Sequence, residues 1–535
     1  MFASRAHAAG VLRILLPLAC LPPLVLALMP VQGVELTAIL LGTRLETGVL
    51  QQAMLLLVAL AWGAAGWYAA DRVTHQPGRF AVFWLLSLAG IVLATLAGDL
   101  ASFYFGYALM TLSAYGLVVH DGGAAARRAG RVYLVMAILA EGALLAGVLL
   151  LASRYGATGV GDITRAALDS PRTGGLAGVL LLLGFSVKIG VAGLHLWLPL
   201  AHPVAPVPAS AILSGVIVKA GVLGLVRLVP PGALPEAWMP GLLALGLFTS
   251  FYGALVGIVQ TRIKTVLAYS TVSQMGLVFM VAVLAVFAPE RAVLWPLLGL
   301  FVLHHGLNKA ALFLAAGSVP LLGWWRVLLF ALPALSLAGM PLLSGALAKG
   351  GLKSALYDAG PGLPPIVWLS LGSVATACVL WRALSLARAG EADAPRPHAS
   401  WPALVVAAVV VPWLWASRHD LAQLPSTAVL FEGFWPLAAA LVAVLAVAAI
   451  IRRSPALDWR GRIPEGDVLV PLLALLSGIR GVFARAWPRW HAVQWPNPGP
   501  ALERWIAHGE RSLGSVSAAG LSLLLLGLVL WVAWT

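Results

Sequence analysis

Charge is scarce in this chain, acid scarcer still, and cysteine almost missing. Only 10% of the 535 residues are charged while 61% are hydrophobic, against the roughly 25% charged expected of a soluble domain. No aqueous surface could hide that many apolar side chains, so a soluble globule is excluded. Two cysteines, Cys20 and Cys378, are too few to hold an iron–sulfur cluster or a tetrahedral zinc site. The sequence also lacks a Walker loop and a dinucleotide fingerprint. No cofactor is therefore expected in this chain, and it has no driving reaction of its own. The 34 Lys and Arg outnumber the 20 Asp and Glu, giving a net charge of +14. On a membrane protein such an excess marks cytoplasmic loops and contact with anionic lipid, which argues against nucleic acid.

What the sequence does have is apolar runs of helix length from end to end. Barrel strands would alternate over about ten residues, so the expected class is all-α and polytopic, integral to the inner (cytoplasmic) membrane. About fifteen spans are predicted, at 10–29, 49–70, 80–97, 99–120, 132–152, 174–203, 208–229, 238–260, 265–287, 292–317, 326–358, 363–388, 401–416, 434–451 and 513–534. Arg5 and Arg13 precede an apolar run, as in a signal peptide, and are read as flanking the first span. Loop parity gathers Arg127, Arg128, Arg131, Arg262, Lys264, Arg452 and Arg453 on the side of the N-terminus, which the positive-inside rule places in the cytoplasm. Residues 452–512 are too broken by Pro, Trp and Arg to span, yet LVPLLALLSGIRGVF has enough apolar surface for a cytoplasmic-side lateral helix before the last span.

The basic residues divide by type. Almost every arginine falls in a loop or at a span end, whereas five of the six lysines, Lys188, Lys219, Lys309, Lys349 and Lys353, fall inside apolar segments. Arg cannot deprotonate in a protein and a desolvated Lys can, so the pattern is that of a proton relay. Lys188 and Lys219 flank a stretch holding His195, His202, Pro199, Pro203, Pro206 and Pro208, and the prolines predict a broken helix. Lys188, His195 and His202 are seven apart and would share a face if that helix ran straight. His305 and Lys309, and likewise Lys349 and Lys353, are four apart and stack on one face. Gly339, Pro341, Gly345, Gly350 and Gly351 predict a second interrupted helix, so two related halves are expected. Glu141 is the single carboxylate in the middle of a predicted span, while Asp99 and Asp358 sit at span ends. An unpaired carboxylate there would keep its proton, and Lys188, one span further on, is the expected partner.

The strings KIGVAGLHLWLPLAHPVAPVPASAILSGVIVKAG, TRIKTVLAYSTVSQMG, HHGLNKAALFLAAGS and LAGMPLLSGALAKGG resemble the antiporter-like subunits shared by respiratory complex I, Mrp-type cation/proton antiporters and membrane-bound hydrogenases. The resemblance covers roughly residues 99–355. It implies two inverted five-helix repeats, each with a broken helix, and a hydrated lysine axis. Lys188 matches the lysine before the first break, Lys219 that on the following helix, Lys309 that after the His pair, and Lys349 the terminal one. In FYFGYALMTLSAYGLV the family usually has a glutamate where this chain has Ala108. Glu141 is the expected replacement.

The expected organisation is N-terminal helices over 1–98, an antiporter-like core over 99–388, further spans over 389–451, a lateral region over 452–512 and a closing span over 513–535. The expected function is proton conduction, or exchange of protons for a cation such as Na+, within a multisubunit energy-coupling complex whose partners are other membrane subunits and lipid. Rival readings are a subunit of an inorganic-carbon uptake complex, a scaffold with inert lysines, and a membrane cytochrome in which His195, His202, His304 or His305 ligates haem.

Overall fold

The computed structural model describes residues 14–29, 33–40, 42–169, 175–288, 291–360, 366–389, 396–422 and 427–471. The expected lateral helix, beyond its first residues, and the closing span at 513–534 lie outside these. The described part is almost wholly helical: α1 (Leu21–Leu28), α2 (Val49–Arg72), α3 (Pro77–Leu96), α4 (Leu100–Val118), α5 (Ala124–Tyr155), α6 (Val160–Asp169), α7 (Leu176–Ile189) and α8 (Trp197–Val204) come first. A continuous α9 (Val207–Leu228) follows. Then come α10 (Met239–Ile258), α11 (Ile263–Phe287), α12 (Trp295–Ala315), α13 (Trp324–Ala338), α14 (Ser344–Asp358), α15 (Ile366–Arg388), α16 (Ser400–Arg418) and α17 (Thr427–Arg453). A small antiparallel hairpin, β1 (Val34–Leu36) with β2 (Thr43–Leu45), pairs Glu35 with Arg44 at one rim.

Ten of the described helices are long and apolar enough to cross a membrane. Three further apolar helices are shorter, Ile14–Leu28, Leu176–Ile189 and Trp324–Ala338. The last two are the leading halves of the interrupted elements. Both interruptions foreseen from the sequence are present, but the first has a different cause. The chain unwinds over 190–196, where Gly190 and Gly193 take φ of 84° and 87°, a left-handed conformation that costs any residue with a Cβ. Pro199 and Pro203 lie inside α8, and Pro206 instead separates α8 from α9. The break is thus set by glycine rather than by proline. The second runs from Gly339 to Leu343, with φ of 93° at Gly339 and 67° at Leu342.

The core lies on α9, α11 and α12. The apolar windows of α9 and α12 are entirely buried and that of α11 is 94% buried, against 11% for α17. Glycine permits this density. At Gly215 a Cβ would stand 3.0 Å from the Gly306 carbonyl of α12, and at Gly221 it would stand 2.9 Å from the Phe185 carbonyl of α7. The helices carrying Lys219 and Lys309 therefore sit in the interior of the bundle.

Candidate functional site

The six lysine and glutamate positions of the proposed axis fall into three neighbourhoods. In the first, Lys188 ends α7 inside a cage of aromatic rings, with Nζ 5.7 Å from the Tyr107 centroid, 5.5 Å from Tyr133 and 5.7 Å from Trp197. It donates to the Tyr133 hydroxyl at 3.5 Å. Ring faces hold a cation without giving it a counter-charge. Glu141 of α5 lines the same small cavity as Lys188, together with Tyr107, Thr111, Tyr133 and Trp197. That cavity has about 10 Å³ of space for the centre of a water-sized sphere, close to what one water needs. Both Glu141 oxygens are sealed from solvent.

The second neighbourhood begins in α9, where the helix widens over Leu213–Ile217 and Val218 N–H reaches the Leu213 carbonyl, five residues back. Such bulges often occur at functional positions. Lys219 donates to the Ser214 carbonyl at 2.6 Å. Thr271 Oγ donates to the Leu267 carbonyl at 3.0 Å, so in its 2.7 Å contact with Ser214 Oγ the serine is the donor. Lys309 of α12 donates to the same Leu267 carbonyl at 2.7 Å and to Ser270 Oγ at 2.5 Å. Lys219 and Lys309 are thus linked through Ser214 of α9 and Thr271 and Leu267 of α11, with Ser270 also on Lys309. On its other side Lys309 lies 5.8 Å above the Phe313 ring, and His202 stacks on that ring at 4.5 Å.

The third neighbourhood is at the second break. Lys349 donates to the Ala338 carbonyl at 3.1 Å and to Ser373 Oγ at 2.9 Å. His304 Nδ1 contacts Ser344 Oγ at 2.9 Å, within a group that includes Asn308 and Ser336. Lys353, one turn beyond Lys349, reaches the surface and pairs with Glu432 of α17 at 2.9 Å.

Not everything expected to share a face does so. Lys188, His195 and His202 are separated by the unwound segment: His195 turns to Asp467 at 3.0 Å while His202 turns to Phe313. The condition for a shared face, a straight helix, is therefore not met, because the unwound segment from 190 to 196 reorients the chain after Lys188. His202 and His305 are buried with neither ring nitrogen partnered among the described residues. Among the described residues no hydrogen bond joins Lys188 to Lys219. Sequence reasoning missed Asp467, Tyr252, Tyr269, Tyr133 and the Ser214–Thr271 pair. Only their placement inside matching strings could have pointed to Ser214, Tyr269 and Thr271. Asp467 had no signal, since it lies in a polar stretch far along the chain.

Residues 97–374, just over half of the chain, match the family model described as NADH:quinone oxidoreductase/Mrp antiporter, TM. The chain belongs to this family. NADH-quinone oxidoreductase subunit N of Acidithiobacillus ferrooxidans is 31% identical over 355 residues, covering 62% of this chain and 72% of that protein. An uncharacterized protein of Mycobacterium tuberculosis is 33% identical over 317 residues, covering 53% of this chain and 48% of its own. The chain thus spans about half the length of some curated relatives that it matches. In fold it is similar to the Mrp complex from a Dietzia species, with a TM-score of 0.67 at 20% identity over 90% of this chain and 60% of that one. This member of the family is an integral multi-pass membrane protein, related to subunits of multisubunit membrane complexes.

Proposed function

We propose that this antiporter-like chain conducts protons, or exchanges them for a cation, as one subunit of an energy-coupling membrane complex. The observation that carries the reading is the Lys219–Ser214–Thr271–Leu267–Lys309 junction, in which each ammonium donates to its own backbone carbonyl and the residues bearing those carbonyls are joined through two hydroxyls. Two cations at one buried junction repel each other, and the arrangement eases when one gives up its proton. Hydroxyls that both donate and accept supply the intermediate positions a proton needs. The two interrupted helices are read as the broken helices of inverted repeats, and Lys349 as the far end of the axis.

In the first half, Glu141 stands in for the acid absent at Ala108. It shares a cavity of water size with Lys188, so carboxylate and ammonium can exchange a proton directly or through one water.

The test is Lys219→Met in the assembled complex, because methionine keeps the bulk and removes the exchangeable charge. Coupled ion movement in membrane vesicles should be abolished while native gels show the complex intact. Wild-type ion movement in an assembled Lys219→Met complex would overturn the relay.

A further inference from the structure

Outside the lysine axis, a carboxylate from a polar stretch far along the chain, Asp467, is buried in the bundle. After α17 the chain crosses the rim of the bundle and packs over the first break. Gly461 N–H donates to the Val259 carbonyl, and Gln260 donates to the Ile463 carbonyl at 3.3 Å. Glu465 accepts from Thr265 Oγ at 2.8 Å and from Arg262 at 3.4 Å, and its carbonyl lies 3.0 Å from the Tyr269 hydroxyl oxygen. These contacts deliver Asp467 into the interior, with its side chain 3% exposed. Its Oδ2 accepts from the Tyr252 and Tyr269 hydroxyls, both at 2.8 Å, and lies 3.0 Å from His195 Nε2. Burial pushes the carboxyl pKa up, but these three donors outweigh it and hold Asp467 below the usual carboxylate range.

The imidazole state follows from its other nitrogen. Gly193 N–H donates to His195 Nδ1 at 3.2 Å, so Nδ1 carries the lone pair and the ring proton is on Nε2, directed at Asp467. Gly193 is one of the two left-handed glycines of the break. One ring therefore links the unwound backbone on one side to the C-terminal segment on the other. A proton arriving at Nδ1 removes the acceptor that Gly193 uses, so any change in His195 protonation also changes the hydrogen bonding of the break.

We propose that Asp467 is a positioning residue for ion conduction: it fixes His195 in the Nε2–H form, and through His195 and Gly193 it ties the segment after α17 to the first interrupted helix. The inference rests on the relay reading for its functional part, while the tautomer assignment stands on the hydrogen bonds alone. A surface loop that merely covered the rim would have no need of a buried carboxylate with three donors, and burying one without partners is costly.

The experiment uses the assembled complex with ring-15N-labelled histidine, the His195 signals being assigned by their loss in His195→Gln. At neutral pH the wild-type spectrum should show an unprotonated Nδ1 and a protonated Nε2; the opposite tautomer or a doubly protonated ring overturns the assignment without any variant at Asp467. Asp467→Asn should shift the tautomer balance and slow ion movement at least tenfold with assembly retained, and Asp467→Glu should recover both readouts at least in part. An unchanged His195 spectrum and wild-type ion movement in Asp467→Asn, beside a dead Lys219→Met control, would overturn this proposal and leave the relay standing. If Lys219→Met itself conducts normally, the relay reading falls, and an unchanged His195 spectrum in Asp467→Asn would then overturn the positioning role as well.

Discussion

Lys188 and Lys349 face the same problem, a cation far from water, and solve it differently. Lys188 is held by three ring faces and one carboxylate neighbour, whereas Lys349 is held by a carbonyl and a serine hydroxyl. Removing the one nearby acid should therefore matter most in the first half. Glu141→Gln should impair ion movement and destabilise the fold by about 3–5 kcal/mol if the pair is ionised, the usual cost of stranding a buried charge. Adding Ala108→Glu to that variant should restore transport, which vesicle assays of the single and double variants would check. At Lys349 the question is charge against proton release. Lys349→Ala should block exchange, and Lys349→Arg should block it too, since a guanidinium keeps the charge but does not give up its proton. Equal and full activity in both would make Lys349 a packing residue.

Among the elements, the two interrupted helices differ in what holds their breaks open. The first rests on left-handed glycine and on the His195–Gly193 contact, the second on left-handed Gly339 and on Trp413, which donates to the Leu342 carbonyl at 3.1 Å. At Gly193 a methyl group would meet nothing within 4 Å, so Gly193→Ala tests conformation alone. A φ of 87° there disfavours any residue with a Cβ, by about 1–2 kcal/mol. Gly193→Ala should lower thermal stability by that amount and slow ion movement. At Gly221, where the added methyl would stand 2.9 Å from the Phe185 carbonyl, the same substitution should instead push α7 from α9 and displace Lys188 from its rings. Unaltered melting in both variants would show that neither glycine is needed for backbone shape or close approach.

Across the whole molecule, the described helices sort into an interior that holds the buried lysines and a periphery of exposed apolar side chains. Val442 and Leu445 on α17 are 67% and 59% exposed, while Ala282 on α11 is fully buried. A cysteine at Val442 should be labelled by a lipid-soluble carbene reagent and resist a water-soluble maleimide, whereas a cysteine at Ala282 should resist both. Maleimide labelling at Val442 in intact membranes would place α17 against water, contrary to its apolar face.

Much of this was readable in the residues themselves. The excess of apolar runs dictated a polytopic helical chain, because in lipid only helices and closed barrels satisfy the backbone and barrel strands would alternate over about ten residues. The separation of lysine from arginine marked the five candidate positions, because only lysine can release a proton. The resemblance of four strings to one family anticipated the family match over 97–374. The remainder depended on groups distant in sequence. The location of the first break turned on φ at Gly190 and Gly193, which a proline-based reading misses. Asp467 lies 272 residues from His195, and Thr271 lies 57 residues from Ser214. No local pattern encodes such pairings. They arise only when packed helices bring a hydroxyl or a carboxylate to a buried partner that would otherwise lack one, and so tertiary structure, rather than periodicity, chose the polar partners of the axis.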